Sequence, residues 1–158
     1  MGRVTMNARQ RHLVKRSWRQ VGDDAPRLAE LFYSRLFEMA PPLRQLFQGD
    51  LKLQQQRLAT MIGTLVDDLD RLEQVRPVLR DLGARHTRYG VTDAQYETFG
   101  DALMWAFQRV LWSDFTPDVE EAWRAAYRLM AGEMKAGAAE ASGPRHEKAA
   151  RRRPTPAG

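Results

Sequence analysis

The sequence predicts an all-α fold, on three observations. Apolar residues recur at three- and four-residue spacing, the period that gathers them on one face of a helix. No segment alternates polar and apolar residues with period two over a useful length. Proline and glycine fall at the joints between the periodic segments, at Gly22, Pro26, Pro41-Pro42 and Pro117, where helices start and stop. Unequal helices with proline-marked corners suit an irregular crossed packing better than an up-and-down bundle.

Six substantial helices and one short turn follow in order. The first, near 7–21, turns Leu13, Trp18 and Val21 toward a core, and Gly22, Asp23 and Asp24 break it. Pro26 sits where a first helical turn tolerates proline, and the second helix runs to about Phe37 with Leu28, Phe32 and Leu36 four residues apart. Pro41-Pro42 forces a stop and opens a short turn ending in Leu46-Phe47. A helix over about 52–68 carries Gln54, Leu58, Met61, Ile62 and Leu65 on one face, and another over about 71–86 carries Leu72, Val75, Leu79, Leu82 and His86. Thr92 with Gln95 forms a capping box for a helix to about Leu111. Thr116-Pro117-Asp118 opens the last helix with an N-cap, a proline at the first helical position and an acid at the positive end of the dipole.

Length and composition bound the functions. At 158 residues with 43% hydrophobic and 28% charged residues, the chain reads as one globular domain able to bury a core without staples. It contains no cysteine, which excludes disulfides, thiolate metal sites and cysteine nucleophiles. No apolar run approaches the roughly 18 residues of a membrane span, and MGRVTMNARQRH has no apolar stretch of a secretory signal, so the expected compartment is cytoplasmic. Of 25 basic and 20 acidic residues, 1–11 hold three basic and no acidic ones and 137–158 five against two. The remaining body, 12–136, carries 17 against 18 and so is close to neutral. The high pI belongs to the ends, and a nucleic-acid partner, which would require a basic patch on the folded surface, is not expected. From 137 onward GAAEASGPRHEKAARRRPTPAG lacks aromatic and branched apolar residues and cannot order itself by burial. The organisation read from this is a basic N-terminal extension (1–11), a folded domain (12–136) and a disordered basic tail (137–158).

Three histidines are present. His12 lies in the basic first helix and His146 in the tail. His86 ends an apolar stripe ahead of Gly90; on its own it reads as a partly buried or helix-capping histidine, or as a ligand. A lone histidine makes a poor zinc site, because zinc takes three or four protein ligands, whereas haem iron in globins takes a single proximal imidazole.

The stretches LFYSRLF (31–37), LRQLFQG (43–49), QQQRLATMIGTLV (54–66), DLGARHTRYGV (81–91), QYETFGDAL (95–103) and EAWRAAY (121–127) stand in the order and spacing of one family. Across about four-fifths of the chain the sequence resembles a bacterial single-domain globin, similar to the globin domain of flavohaemoglobins. The resemblance implies a globin fold, six to eight helices crossed around a haem pocket, with haem b and its iron as cofactor and 12–136 as the globin domain. It implies that His86 is the proximal iron ligand and that Phe47 wedges against the haem ring. Tyr33 and Gln54 become the distal pair, and Leu58, one turn beyond Gln54, closes the pocket over the iron. Gln55 and Gln56 flank Gln54, so the register could slip by one. Arg57 is placed as a partner of a haem propionate, with Arg85 a weaker one. Tyr96, ten residues after His86, matches a tyrosine that bonds near the proximal imidazole in flavohaemoglobins. At the place of the glutamate that works with it, this chain has Ala138, with Glu133 and Glu140 off position; strong electron push toward iron is therefore in doubt. The Trp18, Trp105, Trp112 and Trp123 set reads as core or surface-groove aromatics, and Met61, Met104, Met130 and Met134 as helix packing.

A phenol and an amide donor aimed at the outer end of a diatomic ligand favour dioxygen over carbon monoxide, because dioxygen draws charge outward when a ferrous haem holds it. The expected function is a globin that binds O2 reversibly and tightly and supports oxidation of nitric oxide to nitrate. The alternatives are an oxygen carrier or store feeding respiration, and a gas sensor. The expected partners are O2, NO or other small haem ligands and an external reductase, since the globin and tail take up the chain; the protein is expected as a monomer or homodimer. Whether it is an enzyme, a nitric oxide dioxygenase, depends on that reductase.

Overall fold

The computed structural model describes residues 5–47, 49–88 and 91–141, without the side chains of 86–88 and 141. Among them are six α-helices and no strand: α1 (Ala8–Val21), α2 (Ala25–Met39), α3 (Leu51–Asp67), α4 (Leu72–Arg88), α5 (Asp93–Leu111) and α6 (Pro117–Ala141). Short 3₁₀ turns fill the corners, the longest over Pro41–Leu46. Local chemistry sets the boundaries. Asn7 accepts from the Gln10 N–H at 2.8 Å while Gln10 Oε1 accepts from the Asn7 N–H at 3.0 Å, a reciprocal cap that satisfies two otherwise orphaned donors. Asp50 accepts from the Lys52 and Leu53 N–H groups at 3.0 and 3.3 Å at the start of α3. Gln95 accepts from the Thr92 N–H at 2.9 Å ahead of α5, and the Thr116 hydroxyl accepts from Val119 at 3.3 Å ahead of α6.

α1 and α5 leave their helices through the same corner. Gly22 has φ 50° and ψ −122°, and Trp112 has φ 50° and ψ −120°. Glycine adopts that left-handed backbone freely, whereas an L side chain is strained there. The Trp112 side chain is three-quarters exposed, at 75%.

The main core forms where α2 packs across α5 and α1 lies on α6. Phe107, wholly buried, lies against the Trp123 ring at 4.2 Å and the Phe115 ring at 6.1 Å. Trp123 donates its indole N–H to Ser17 Oγ at 2.8 Å, and Ser17 in turn donates to the Leu13 carbonyl at 2.7 Å. A second, smaller apolar cluster joins α4 to α6 through Val75, Leu79, Tyr96, Ala131 and Met134. Exposed Asp70 pairs with Lys15 and Arg11, tying α1 to the corner before α4.

The boundary expected at 137 is displaced in the structure. α6 continues to Ala141, with Gly137 buried and Glu140 paired to Arg80 at 3.0 Å. Small residues that resemble a tail by composition here allow close approach to α4. The rest of the expected tail, 142–158, lies outside the described residues. The expected N-terminal extension also contributes to the core, since Met6 is buried and its carbonyl accepts from Arg11 at 2.7 Å.

Candidate functional site

A cavity of about 640 Å³ lies between the two apolar clusters, walled by α2, α3, α4, α5 and α6. Tyr33 reaches it from α2 because it shares a helix face with Phe37 and Leu36, inside an aromatic group held by the turn after Pro41-Pro42. Its ring stands edge-on to Phe47 at 5.3 Å and to Phe32 at 5.0 Å, and Phe37 lies 5.7 Å from Phe47. The Tyr33 side chain is 6% exposed, and burial pushes its phenol up to about 12, so it is a protonated donor throughout the neutral range. Among the described residues its hydroxyl makes no hydrogen bond.

α3 supplies the adjoining wall. Gln54, Arg57, Leu58, Met61 and Ile62 line the cavity, whereas Gln55 and Gln56 do not. The alternation follows from helical spacing, because 54, 58, 61 and 62 fall on one face. Arg57 stands at the mouth with its side chain exposed and, among the described residues, makes no ion pair. Arg85 also lines the mouth and is paired with Asp81 at 2.8 Å.

Opposite them lie α4, α5 and α6. Leu82 lines the cavity, and His86 follows it by four residues on α4; the His86 side chain lies outside the described residues. Tyr96 lines the cavity with its hydroxyl buried and, among the described residues, without a partner. Burial, and then the nearby Asp93 carboxylate, raise the Tyr96 phenol above its ordinary value. The Tyr127 hydroxyl donates to the Tyr96 carbonyl, fixing the start of α5 on α6. Tyr127 fits there because position 100 is glycine: a Cβ would come within 2.7 Å of its ring. Lys135 holds its ammonium 5.4 Å from the Tyr96 ring centre. Ala138 leaves no carboxylate at its own position, and Glu133 and Glu140 are both committed to arginines of α4. Glu133 binds Arg76 at 3.0 Å and Arg80 at 3.1 Å.

The cavity thus gathers Tyr33, Phe47, Gln54, Arg57, Leu58 and Tyr96. The α6 wall of Tyr127, Met130 and Met134, with Phe99 and Leu103 of α5, carries no site reading in the sequence, where Met130 and Met134 read as helix packing. Its signal was the spacing of 127, 130 and 134 along one helix face, which packing alone would also produce. Trp105 is half-buried, flanked by the Arg35 and Arg109 guanidinium groups at 5.2 and 4.7 Å.

These features fit a haem group. The volume falls within the roughly 300–1,000 Å³ of small-molecule and cofactor sites. Two arginines at the mouth suit carboxylates, the walls are apolar, and the Tyr33 and Tyr96 phenols make no hydrogen bond among the described residues. The Tyr96 hydroxyl is buried as well as unpaired, which costs about 1–3 kcal/mol, a penalty that a bound polar ligand relieves.

Comparison with known proteins agrees with this geometry. The globin family profile matches residues 30–134. The anaerobic nitrite reductase NSHB5 of Oryza sativa subsp. indica is 30% identical over 132 residues, covering 80% of this chain and 91% of that protein. A flavohemoprotein of Halalkalibacterium halodurans is 29% identical over 134 residues, covering 83% of this chain and 33% of its own length. Among solved structures, an engineered carbene transferase derived from a candidate nitric oxide dioxygenase of Rhodothermus marinus superposes with a TM-score of 0.81 at 25% identity, over 87% of this chain and 96% of that one. No helix among the described residues is long and apolar enough to cross a membrane. The chain belongs to the globin family, similar to the globin domains of flavohemoproteins, and as a globin it is a haem protein.

Proposed function

We propose that this globin binds O2 tightly and, supplied with electrons by a separate reductase, oxidises nitric oxide to nitrate. The observation that carries the proposal is the pairing of two unlike donors, the Tyr33 phenol and the Gln54 amide, on adjoining walls of one apolar cavity. His86 would hold haem b, which would supply the redox-active iron.

The protein's own residues then do the following. Tyr33 and Gln54 donate to the outer end of the diatomic ligand, and hydrogen bonds of this charge-assisted kind contribute about 1.5–3 kcal/mol each. Their aim is fixed beforehand: Tyr33 by its aromatic neighbours and Gln54 by the α3 register. Leu58 and Met61 exclude water from the same wall, which strengthens those bonds by lowering the local dielectric. Phe47 would pack on the haem ring, and Arg57, free of intramolecular pairing among the described residues, would pair with a propionate. Tyr96 donates on the proximal side. The two glutamates of α6 near position 138 are committed elsewhere, Glu133 to Arg76 and Arg80 and Glu140 to Arg80, and Lys135 lies over Tyr96, so neither glutamate reinforces that donor, which supports retention of O2 over cleavage of its bond.

The overall reaction balances as nitric oxide plus O2 plus one electron giving nitrate, with the electron drawn from the reductase. Slow O2 release serves this reaction, since the ligand must outlast the arrival of nitric oxide, and it does not serve a carrier. The test is to reconstitute the chain with hemin, reduce it, expose it to O2 and mix with nitric oxide in a stopped-flow instrument. Conversion to the ferric form with one nitrate formed per protein is the expected result. Release of O2 within milliseconds, or no nitrate, refutes the proposal and leaves the reading of a carrier or store.

A further inference from the structure

α4, which carries His86, touches α6 backbone to backbone at two reciprocal points. A Cβ on Gly83 of α4 would sit 1.8 Å from the Met134 carbonyl oxygen of α6, and one on Gly137 of α6 would sit 1.9 Å from the Arg80 carbonyl oxygen of α4. Each glycine therefore faces the carbonyl three residues before its counterpart, so the two helices share one close crossing. Neither contact can be relieved by a side-chain rotation, because the obstructing atoms belong to the main chain. Ordinary contact begins near 3.4 Å, so a single methyl at either place must drive the helices apart by more than an ångström. A ladder of ion pairs, Arg76–Glu133–Arg80–Glu140, runs beside the crossing at 3.0 to 3.1 Å. Position 83 lies one helical turn before His86, and Met134, whose carbonyl meets it, also lines the cavity.

We infer that Gly83 and Gly137 are positioning residues which set the depth of α4 against α6 and through it how closely the α4 segment that carries His86 approaches the cavity. The inference rests on the haem reading above. The geometry explains why α4 needs no large side chains at this crossing and why α6 extends past 137. It also separates two jobs: the glycines set the distance, and the ion pairs set the slide of one helix along the other.

The test uses the full chain reconstituted with hemin. Gly137→Ala is expected to keep a Soret band, to shift the iron–histidine stretching band of the reduced protein in resonance Raman, and to lose hemin to apomyoglobin about tenfold faster. Arg80→Met, which cuts the ladder while retaining the Arg80 carbonyl, is expected to leave that band in place. If Gly137→Ala leaves both band and hemin loss at wild-type values, the inference is overturned. It is equally overturned if Arg80→Met moves the band as far as Gly137→Ala does. Should Gly137→Ala fail to fold, the wild-type carbonmonoxy protein supplies the test by NMR. Strong nuclear Overhauser contacts are expected from the Gly83 α-protons to Met134 Hα and from the Gly137 α-protons to Arg80 Hα, and their absence overturns the crossing. A wild-type chain that takes up no hemin overturns the haem reading and this inference together, whereas normal uptake with an unmoved band overturns this inference alone.

Discussion

Tyr33→Phe separates the distal hydroxyl from everything else the tyrosine does. The ring is retained, so its edge-on contacts with Phe47 at 5.3 Å and Phe32 at 5.0 Å persist. The hydroxyl makes no hydrogen bond among the described residues, so its removal breaks none that the structure shows and spares a buried phenol its desolvation. Stability should therefore stay within about 0.5 kcal/mol of the wild type or rise slightly. The effect on oxygen is of another size. Losing one hydrogen bond to a partly charged partner, about 1.5–3 kcal/mol, should speed O2 release about 10- to 150-fold. Carbon monoxide draws much less charge outward, so its release should change by less than about threefold, under 0.7 kcal/mol. The assay is stopped-flow replacement of O2 by carbon monoxide and of carbon monoxide by nitric oxide. Equal acceleration of both gases, or none, refutes the hydrogen-bond argument. A stability loss of about 2 kcal/mol would show instead that the hydroxyl bonds within the protein.

Four further outcomes follow from the same geometry. Gln54→Leu should accelerate O2 release by about tenfold while Gln55→Leu leaves it alone; the reverse result in the same stopped-flow assay would move the register of α3 by one. His86→Ala should retain the far-UV helical signal and lose the Soret band on gel filtration, and a variant that keeps hemin as tightly as the wild type removes His86 from the site. Ser17→Ala strands the buried Trp123 N–H and should cost about 1–3 kcal/mol, read as a fall in Tm of several degrees; an unchanged Tm would show that a water takes the place of the hydroxyl. Stability should decline above about pH 10: unfolded tyrosine loses its proton near 10, whereas folded Tyr33 keeps its own to about 12, so the unfolded chain binds fewer protons in between. Tyr33 contributes up to about 1.4 kcal/mol per pH unit to that slope, Tyr127 and Tyr96, whose phenols burial also raises, add to it, and the decline is shallower in Tyr33→Phe; urea midpoints that stay flat from pH 9 to 11 would contradict it.

Helix starts were legible because they are local. Thr92 with Gln95, and Thr116-Pro117, each announce a helix through bonds spanning only three residues, whereas the Asn7–Gln10 cap of α1 emerges from the structure. The Trp112 corner gave no such sign, since tryptophan has no preference for a left-handed backbone and only the surrounding packing holds it there. Tyr33, Phe47, Gln54 and Leu58 owe their places to family resemblance more than to periodicity, which leaves Gln54 and Gln55 open; of the two, Gln54 lines the cavity. The α6 wall was missed because Met130 and Met134 meet a cavity and a neighbouring helix with the same spacing. The boundary at 137 misled because glycine and alanine carry no burial signal, and a close helix crossing draws on that same smallness. Such a contact joins residues more than fifty positions apart, and no local pattern records it.

The matching corners at Gly22 and Trp112 bear on how the chain could be remodelled. One backbone shape is met at the end of α1 by the residue that adopts it freely and at the end of α5 by one that resists it, at about 1–3 kcal/mol. The tryptophan recovers little of that through contacts, being 75% exposed. The α5 exit is therefore a place where the fold stands below its own optimum, at a residue that does not itself line the cavity, and where a change toward glycine would relieve the backbone.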